Sequence, residues 1–176
     1  MAGKLKNMLE TSAVYWEPKI KTYGFHEVYD LTMLEGTIQQ ERIAQFGSFL
    51  ENLDVPEINF HLILMQTLKD HVIDFRIVLD RKWEEKIQQT CNSIIREKGE
   101  ESFLLQSPVE LIYFFGPHFG DRYGIADTTF QVLVENNLPV LAAGFSGSAV
   151  YLVLPDKGIQ KVRPVFTSAF EVPKNK

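Results

Sequence analysis

The residues best suited to chemistry lie in one segment bounded by glycines, residues 116–124, which reads Gly-Pro-His-Phe-Gly-Asp-Arg-Tyr-Gly. A predicted helix follows it directly. The first backbone N–H groups of that helix have no intrahelical acceptor, and together with the helix dipole they favour a carboxylate. Asp121 offers an acceptor for an ammonium group. The segment therefore suits an amino acid as ligand.

The same residues also have a purely structural interpretation. Gly116, Gly120 and Gly124 can serve backbone geometry alone, and Asp121 can cap the helix. An arginine next to an aspartate, as at Arg122, is more often a solvated charge pair worth under about 1 kcal/mol. The helix dipole supplies about 0.3–1 kcal/mol, whereas a micromolar ligand needs about 8 kcal/mol. Several hydrogen bonds and burial of the ligand at an interface would have to supply the remainder.

Catalytic and metal chemistry find little support in the sequence. It contains no serine at nucleophile-elbow spacing, no phosphate loop and no carboxylate pair tied by spacing to one cleft. The four histidines show no i, i+4 pair and no cysteine partner of the kind that zinc sites use. Cys91 lies in an apolar helical stripe and is expected to be a core residue. We therefore predict no catalytic residue, no metal and no cofactor.

Length and composition limit the classes of protein. The chain has 176 residues, 45% of them hydrophobic, and this is enough for one domain or two small ones without disulfides. A single cysteine favours a reducing compartment. The net charge of -5 argues against nucleic acid as a partner. The polar N-terminus lacks a secretory signal, and the uncharged stretch 138–155 has a Gly-Ser centre, so we predict a cytoplasmic protein without a membrane segment.

Hydrophobic periodicity predicts a strand–helix–strand–strand–helix order in the first half of the chain. Tyr29, Leu31 and Met33 are expected on the buried face of the first strand. In order, the predicted elements are a strand from Glu27 to Gly36, a helix capped by Thr37 and closed by residues 54–56, a buried strand over 57–67, a turn at Lys69 and Asp70, an alternating strand over 73–80, and a helix from about Lys82 to Gly99.

The same order returns in the second half, about eighty residues later, and such self-similarity indicates tandem modules. Each module would place helices on one face of a four-stranded sheet, so the bare face needs cover from another module, within the chain or between chains. The predicted elements are a strand over 109–115 buried on both faces, a helix with Ala126, Phe130, Leu133 and Val134 inward, strands over 140–144 and 149–154, and a helix with Ile159, Val162, Phe166 and Ala169 inward. Because proline disrupts a helix interior, Pro164 must either kink the last helix or mark a late start of it.

Residues 116–126 resemble an ACT domain, a ferredoxin-like regulatory module whose first strand commonly ends in a turn of the form Asp-Arg-Pro-Gly-Ile-Ala. The stretch from Asp121 to Ala126 keeps this form, with Tyr123 in place of the proline. Residues 135–140 resemble the end of the family's first helix and its second strand. The resemblance implies an α+β fold of two tandem ferredoxin-like (βαββαβ) ACT modules, with antiparallel sheets and helices on one face.

The paired ACT modules at the C-terminus of aspartokinases are more similar still, because Ser146-Gly147-Ser148 and Ala169-Phe170-Glu171 match their second module. The resemblance covers about residues 19–172. It implies a first module over 19–106, whose first strand at about 19–26 is lent to the other module, and a second module over 107–173. Only a short extension precedes the first strand, so we expect no kinase domain.

The resemblance implies a non-catalytic regulatory protein. It would bind a small effector, an amino acid, at an interface between modules, and signal through the geometry of a homodimer or of an enzyme partner. The first module has Leu34-Glu35-Gly36-Thr37 where the family has Asp-x-Pro-Gly, which places the site in the second module. The predicted ligand-binding residues are Gly116, Pro117, His118, Phe119, Gly120, Asp121, Arg122, Tyr123, Gly124, Ile125, Ser146 and Ser148.

Two other interpretations stay open. Ser146 and Ser148 can equally form the turn between two strands. The whole chain can also be an interaction or structural subunit that binds no ligand and associates with another protein, as the altered first-module segment permits. An enzyme on the same architecture is a third interpretation, because a fold does not fix a function.

Overall fold

A computed structural model of the chain describes residues 19–53, 58–98, 102–117, 119–120 and 122–172. Short 3₁₀ turns precede the first two helices and join one pair of strands. The strands are β1 (Ile20–Lys21), β2 (Phe25–Gln39), β3 (Phe60–Thr67), β4 (Val72–Asp80), β5 (Ser102–Phe115), β6 (Ala142–Phe145), β7 (Ala149–Pro155) and β8 (Phe170–Glu171). The helices are α1 (Ile43–Asn52), α2 (Glu84–Lys98), α3 (Ile125–Glu135) and α4 (Gly158–Ala169).

Six strands form one antiparallel sheet in the order β3-β4-β2-β5-β7-β6, while β1 and β8 form a separate parallel pair. The first four strands of this order, with α1 and α2, make one ferredoxin-like unit. The last four, with α3 and α4, make the other. The predicted α+β fold of two tandem βαββαβ modules is therefore confirmed, and β2 and β5 take part in both modules.

The N-terminal part of β2 lies beside the second module. Phe25–Val28 pair with residues 111–114 of β5, whereas the C-terminal part of β2 pairs with residues 102–109 and with β4. The register shifts on both sides of Leu31, and Asp30 has a φ of 55°. The cis peptide Ser107-Pro108 lies at the same level of β5. The pairing of the two long strands is thus irregular where one module passes into the other.

Each module packs its two helices against the same face of its own strands. Leu34, Phe75 and Ile77 meet α1 and α2 in the first module. The second core contains Ile112, Phe114, Val150, Leu152 and Leu154 from the sheet, Ile125 and Leu133 from α3, and Ile159, Val162 and Phe166 from α4.

The opposite faces of the two modules cover each other. Leu31, Met33 and Val78 form a third buried cluster with residues of the second module, and Leu64 packs against it. A Cβ at Gly144 on β6 would lie 3.0 Å from Leu64 Cδ2 on β3. These strands are at opposite ends of the six-stranded order and would be about 24 Å apart in a flat sheet. The sheet is therefore folded over on itself, and the expected cover comes from within the chain.

Several predicted boundaries in the first module are wrong. Tyr29 is 48% exposed because the register shift beside it interrupts the alternation. The strand β2 continues to Gln39, so Thr37 pairs with Asp74 and caps no helix. The helix α1 begins only at Ile43, which is itself exposed.

The strand predicted as buried over 57–67 is the edge strand β3, and Ile63 and Met65 on it are exposed. By contrast, the alternation in β4 is confirmed, because Ile73, Phe75, Ile77 and Leu79 are all buried. The predicted helix ends at residues 54–56 and at Gly99 lie outside the described residues.

The buried face of α3 also differs from the prediction. Leu133 is buried as expected, but the other inward residues are Ile125 and Thr129, while Phe130 and Val134 are exposed. Thr129 tolerates burial because its hydroxyl donates to the carbonyl oxygen of Ile125 at 2.7 Å. Thr129 thus occupies the core position that the apolar pattern predicted for Phe130.

The buried stripe of α4 is confirmed at Ile159, Val162 and Phe166. Pro164 lies inside this helix, so a late start is wrong. Pro164 is exposed, on the side of α4 away from the core.

Candidate functional site

The loop between β5 and α3 is shaped by its glycines. A Cβ at Gly116 would overlap the carbonyl oxygen of Lys21 and would lie 2.6 Å from the ring of Phe119. Gly124 has a φ of +86°, a conformation that L side chains rarely adopt. The structural interpretation of these two glycines therefore holds, whatever the loop binds.

This loop lies against the turn between β6 and β7, as the predicted site requires. A Cβ at Gly120 would be 3.2 Å from the carbonyl oxygen of Gly147. Ser146 Oγ accepts the backbone N–H of Ala149 at 3.0 Å, and the backbone N–H of Ser146 donates to the carbonyl oxygen of Ala149 at 2.9 Å. The exposed Ser146 thus has the turn-forming role, while Ser148 is exposed at the tip of the turn.

The predicted site residues divide into buried and exposed groups. Phe119 is buried and packs edge-on against Phe114, with 6.1 Å between ring centroids, and Ile125 is buried in the same core. Tyr123 is 97% exposed. Pro117 and Arg122 are half-buried. The predicted residues His118 and Asp121 lie outside the described residues.

The N-terminus of α3 opens at this loop. Its N-cap residue is Gly124, and no side chain of the described residues forms a cap hydrogen bond there. The carbonyl oxygen of Gly124 accepts the N–H of Thr128 at 2.9 Å, so the helix is regular from its first turn. The N–H groups before Thr128 have no acceptor within the helix itself.

The other helix of this module already has an internal anion at its N-terminus. Glu110 is buried, and its carboxylate accepts the backbone N–H groups of Lys157 at 3.1 Å and of Ile159 at 2.7 Å. This role of Glu110 was not predicted from the sequence. A single carboxylate within the apolar run 109–115 was the available signal. In the second module, the N-termini of α3 and α4 thus differ, because among the described side chains only that of Glu110 accepts N–H groups at either one.

Apolar side chains are exposed next to the loop, on α3 and the edge strand β6. The rings of Phe130 and Phe145 are in contact, with 5.2 Å between centroids, and Val134 is 74% exposed. With Tyr123 they form what we call the outer apolar strip: Tyr123, Phe130, Val134 and Phe145. Its position at a sheet edge makes it suitable for contact with another protein surface.

Reactive and metal-binding groups are scarce in the part of the chain that is described. Burial raises the pKa of the Cys91 thiol to about 12, so the reactive thiolate is disfavoured. No group of three or more His, Cys, Asp or Glu side chains among the described residues is arranged to hold a metal ion. Nor is any described helix both long enough and apolar enough to cross a bilayer.

Comparisons by sequence give no relative: no protein-family model matches the chain, and no curated protein matches it. Comparison of folds, by contrast, finds similar structures. The regulatory subunit of aspartate kinase from Thermus thermophilus, in its ligand-free form, superposes with a TM-score of 0.70 over 85% of this chain and 99% of that one, at 14% identity. The fold is that of an aspartate kinase regulatory region.

Two further structures agree with this aspartate kinase regulatory fold. The regulatory subunit from Thermus flavus has a TM-score of 0.73 at 10% identity, covering 86% of this chain and 99% of the subunit. The E. coli aspartokinase III structure in complex with lysine and aspartate has a TM-score of 0.58 at 16% identity, covering 88% of this chain and 34% of that enzyme. The predicted resemblance to tandem ACT modules is thereby confirmed at the level of the fold.

Proposed function

We propose that this chain is a non-catalytic regulatory protein that binds a small amino acid where residues 116–124 meet the turn at residues 146–148. The N-terminus of α3 beside that turn, where none of the described side chains forms a cap hydrogen bond, carries the proposal. The helix N–H groups receive the carboxylate of the ligand, and a neighbouring module closes over its side chain. Asp121 accepts the ammonium group.

Three observations support this assignment. The loop and the turn are in contact, since a Cβ at Gly120 would lie 3.2 Å from the Gly147 carbonyl oxygen. The N-terminus of α4 is occupied by Glu110, so the two helices are not equivalent as anion sites. Aspartokinase III, one of the proteins with this fold, has been crystallised with lysine and aspartate.

The regulatory mechanism is a shift between two arrangements of paired modules. A ligand that contacts both a loop and a neighbouring module stabilises the arrangement in which it makes more contacts. The outer apolar strip supplies the surface for the neighbour, a second copy of the chain. The change in that equilibrium is limited by the ligand's difference in affinity for the two arrangements.

A thermal-shift screen with the twenty amino acids tests the proposal. At about 100 times its dissociation constant, a ligand adds about 2.7 kcal/mol of stability, which for a chain of this size raises Tm by about 5–11 °C. Gly120→Val should abolish the shift, because the new side chain meets the Gly147 carbonyl oxygen. Gly47→Ala, on an open surface of α1, should retain it. An equal shift in both variants would place the ligand elsewhere.

The outer apolar strip favours a second candidate function, that of an interaction subunit without a ligand. In that case no amino acid shifts Tm. Phe130→Ser would then release a bound partner protein, whereas Ser48→Ala on α1 would not. Sedimentation of the chain with and without amino acids separates the two functions, because only the first predicts an assembly that changes with the ligand.

A further inference from the structure

A cavity remote from the loop at residues 116–124 lies where the two modules meet. Its volume is about 380 Å³. One wall comes from β3 and β4 of the first module, and the other comes from the edge of the second module at β6. The lining residues are Leu64, Met65, Gln66, Asp74, Arg76, Leu141, Ala142 and Ala143.

The first-module wall of this cavity carries a network of charged side chains. Arg76 Nη1 lies 2.6 Å from Asp74 Oδ2, and Arg76 Nε lies 3.5 Å from Glu35 Oε2. Gln66 Nε2 donates to the same Asp74 oxygen at 3.2 Å. The side chain of Asp74 is only 15% exposed. Two carboxylates therefore share one guanidinium, and the network has a net charge of one negative unit at neutral pH.

An adjoining hollow of about 510 Å³ extends on the other side of the same network. Glu35, Asp74 and Arg76 line it together with Phe103 and Leu104. The charged network thus lies between two hollows, and both give it access to solvent. Its polar atoms can be reached by a small molecule without opening a core.

The second-module wall is apolar. Leu141, Ala142 and Ala143 face the network across the cavity, and Leu64 lies beside them on β3. Since β6 is at the end of the sheet order, no described strand pairs with its outer side. The cavity therefore offers the carboxylate of Asp74 on one wall and three apolar side chains beside strand backbone on the other, which suits a ligand with a cationic head and a short aliphatic body.

We propose that this intermodule cavity binds a small aliphatic primary amine as its ammonium ion. The ammonium group donates to the carboxylate of Asp74, which lines the cavity, and brings the network to neutrality. The alkyl chain packs against residues 141–143. An anion is disfavoured because the single guanidinium already faces two carboxylates. A bare metal ion is disfavoured because that guanidinium lies within the same network.

The proposal does not depend on the function assigned to the loop at residues 116–124. A ligand in the intermodule cavity contacts strands of both modules, so it favours the arrangement of modules in which the cavity is closed around it. The two sites are on different surfaces, and each can be removed by substitution without touching the other.

Titration of the ¹⁵N-labelled full chain with butylammonium tests the proposal, with butanoate as the matched anion at constant ionic strength. A five-atom ligand binds weakly, so concentrations up to about 50 mM are needed. Saturable shifts are expected at the amides of residues 64–66 and 141–143. Asp74→Asn should weaken binding at least tenfold, and Asp127→Asn, an exposed carboxylate on α3, should leave it unchanged.

The opposite results would overturn the proposal. These are no saturable shift at either wall, equal binding to Asp74→Asn, or equal binding of butanoate. If Asp74→Asn does not fold, Ala143→Phe fills the cavity from the apolar wall and should remove binding instead. Retained affinity in Ala143→Phe would count against the cavity as the site.

Discussion

Gly116 stands where two segments of backbone come closest. The backbone N–H of Tyr23 donates to the carbonyl oxygen of Phe115 at 2.8 Å, and β1, which precedes it, is held by its pairing with β8. The carbonyl oxygen of Lys21 is thereby fixed next to Gly116. Any Cβ at this position meets backbone atoms, which cannot move aside as the end of a flexible side chain can.

Replacement of Gly116 by alanine should therefore destabilise the chain by about 2–3 kcal/mol, as overpacking does in other cores. Urea denaturation measures this as a lower midpoint with an unchanged slope. Gly47→Ala is the matched control, since nothing lies within 4 Å of its Cβ in α1, and it should stabilise by up to about 1 kcal/mol. A neutral effect of Gly116→Ala would show that β1 is free to move away.

Cys91 should be inert in the folded chain, because burial raises its thiol pKa to about 12. Labelling with a disulfide reagent at pH 8 should be at least a hundredfold slower in buffer than in urea. Ser148→Cys in a Cys91→Ala background is the positive control, since residue 148 is exposed in a turn. Rapid labelling of Cys91 without denaturant would contradict its burial.

The same raised pKa of Cys91 has a defined effect on stability with pH. In the unfolded chain the thiol ionises near its ordinary pKa of about 8.5, whereas in the folded chain it stays neutral up to about 12. As the pH rises, ionisation of the thiol therefore lowers the free energy of the unfolded state before that of the folded state. The contribution of this thiol to stability is complete below about pH 8.5 and is lost as the pH rises toward 12.

Residue types in the site could be predicted better than residue roles. The glycines at 116 and 124 and the turn at Ser146 follow from local chemistry, and the structure places them accordingly. Glu110 could not be assigned from the sequence, because its partners are backbone groups 47 and 49 residues away. In the sequence, Asp74 and Arg76 are recognisable only as polar residues that alternate with apolar ones in the strand over 73–80, so their ion pair could not be predicted.

At the scale of elements, β2 is the one that joins the modules most directly. Its residue Phe25 contacts Phe114, Phe166 and Phe170 of the second module, with ring centroids 5.3–6.4 Å apart. Its C-terminal part pairs with β4 of the first module. The N-terminal part of β2 thus lies in the second module, and the rest of the same strand lies in the first.

A fragment that starts at residue 107 lacks this strand and should not fold cooperatively. It loses the pairing of Phe25–Val28 with β5 and exposes the rings that Phe25 covers. Thermal unfolding followed by circular dichroism should show no transition for the fragment, whereas residues 19–172 should unfold with one. A sharp transition in the short fragment would show that the second module needs no lent strand.

Elements with strong local patterns were predictable, and those whose burial depends on neighbours were not. The alternation of β4 and the stripe of α4 appear in the structure as predicted. The apolar residues of β3 predicted a buried strand, yet β3 became an edge. In α3 the buried residue is Thr129 and the exposed one is Phe130, and the hydroxyl of Thr129 is satisfied by the carbonyl oxygen of Ile125.

At the scale of the whole molecule, the two modules share one buried surface. The cluster between them includes Met33 and Val78 from one side and Leu111 and Val153 from the other, all at most 1% exposed. Burial of this extent ties the unfolding of one module to that of the other, since separating them would expose the whole cluster.

Ile77→Val in the first core should therefore lower the protection of amides in both modules equally, by about 0.5–1.5 kcal/mol. Native-state hydrogen exchange at Val78 and Leu152 measures the two sides. The exposed substitution Gln131→Ala on α3 should change neither. Loss of protection confined to the first module would mean that the modules open independently.

The folded-over sheet also determines how a displacement travels through the chain. The strands β2 and β5 cross from one module to the other without an intervening loop, and the register of β2 against β5 is irregular where they cross. The modules are also packed face to face, with Leu64 on β3 next to Gly144 on β6. A displacement that begins at residues 116–124 would therefore reach the first module both along these strands and across the shared cluster.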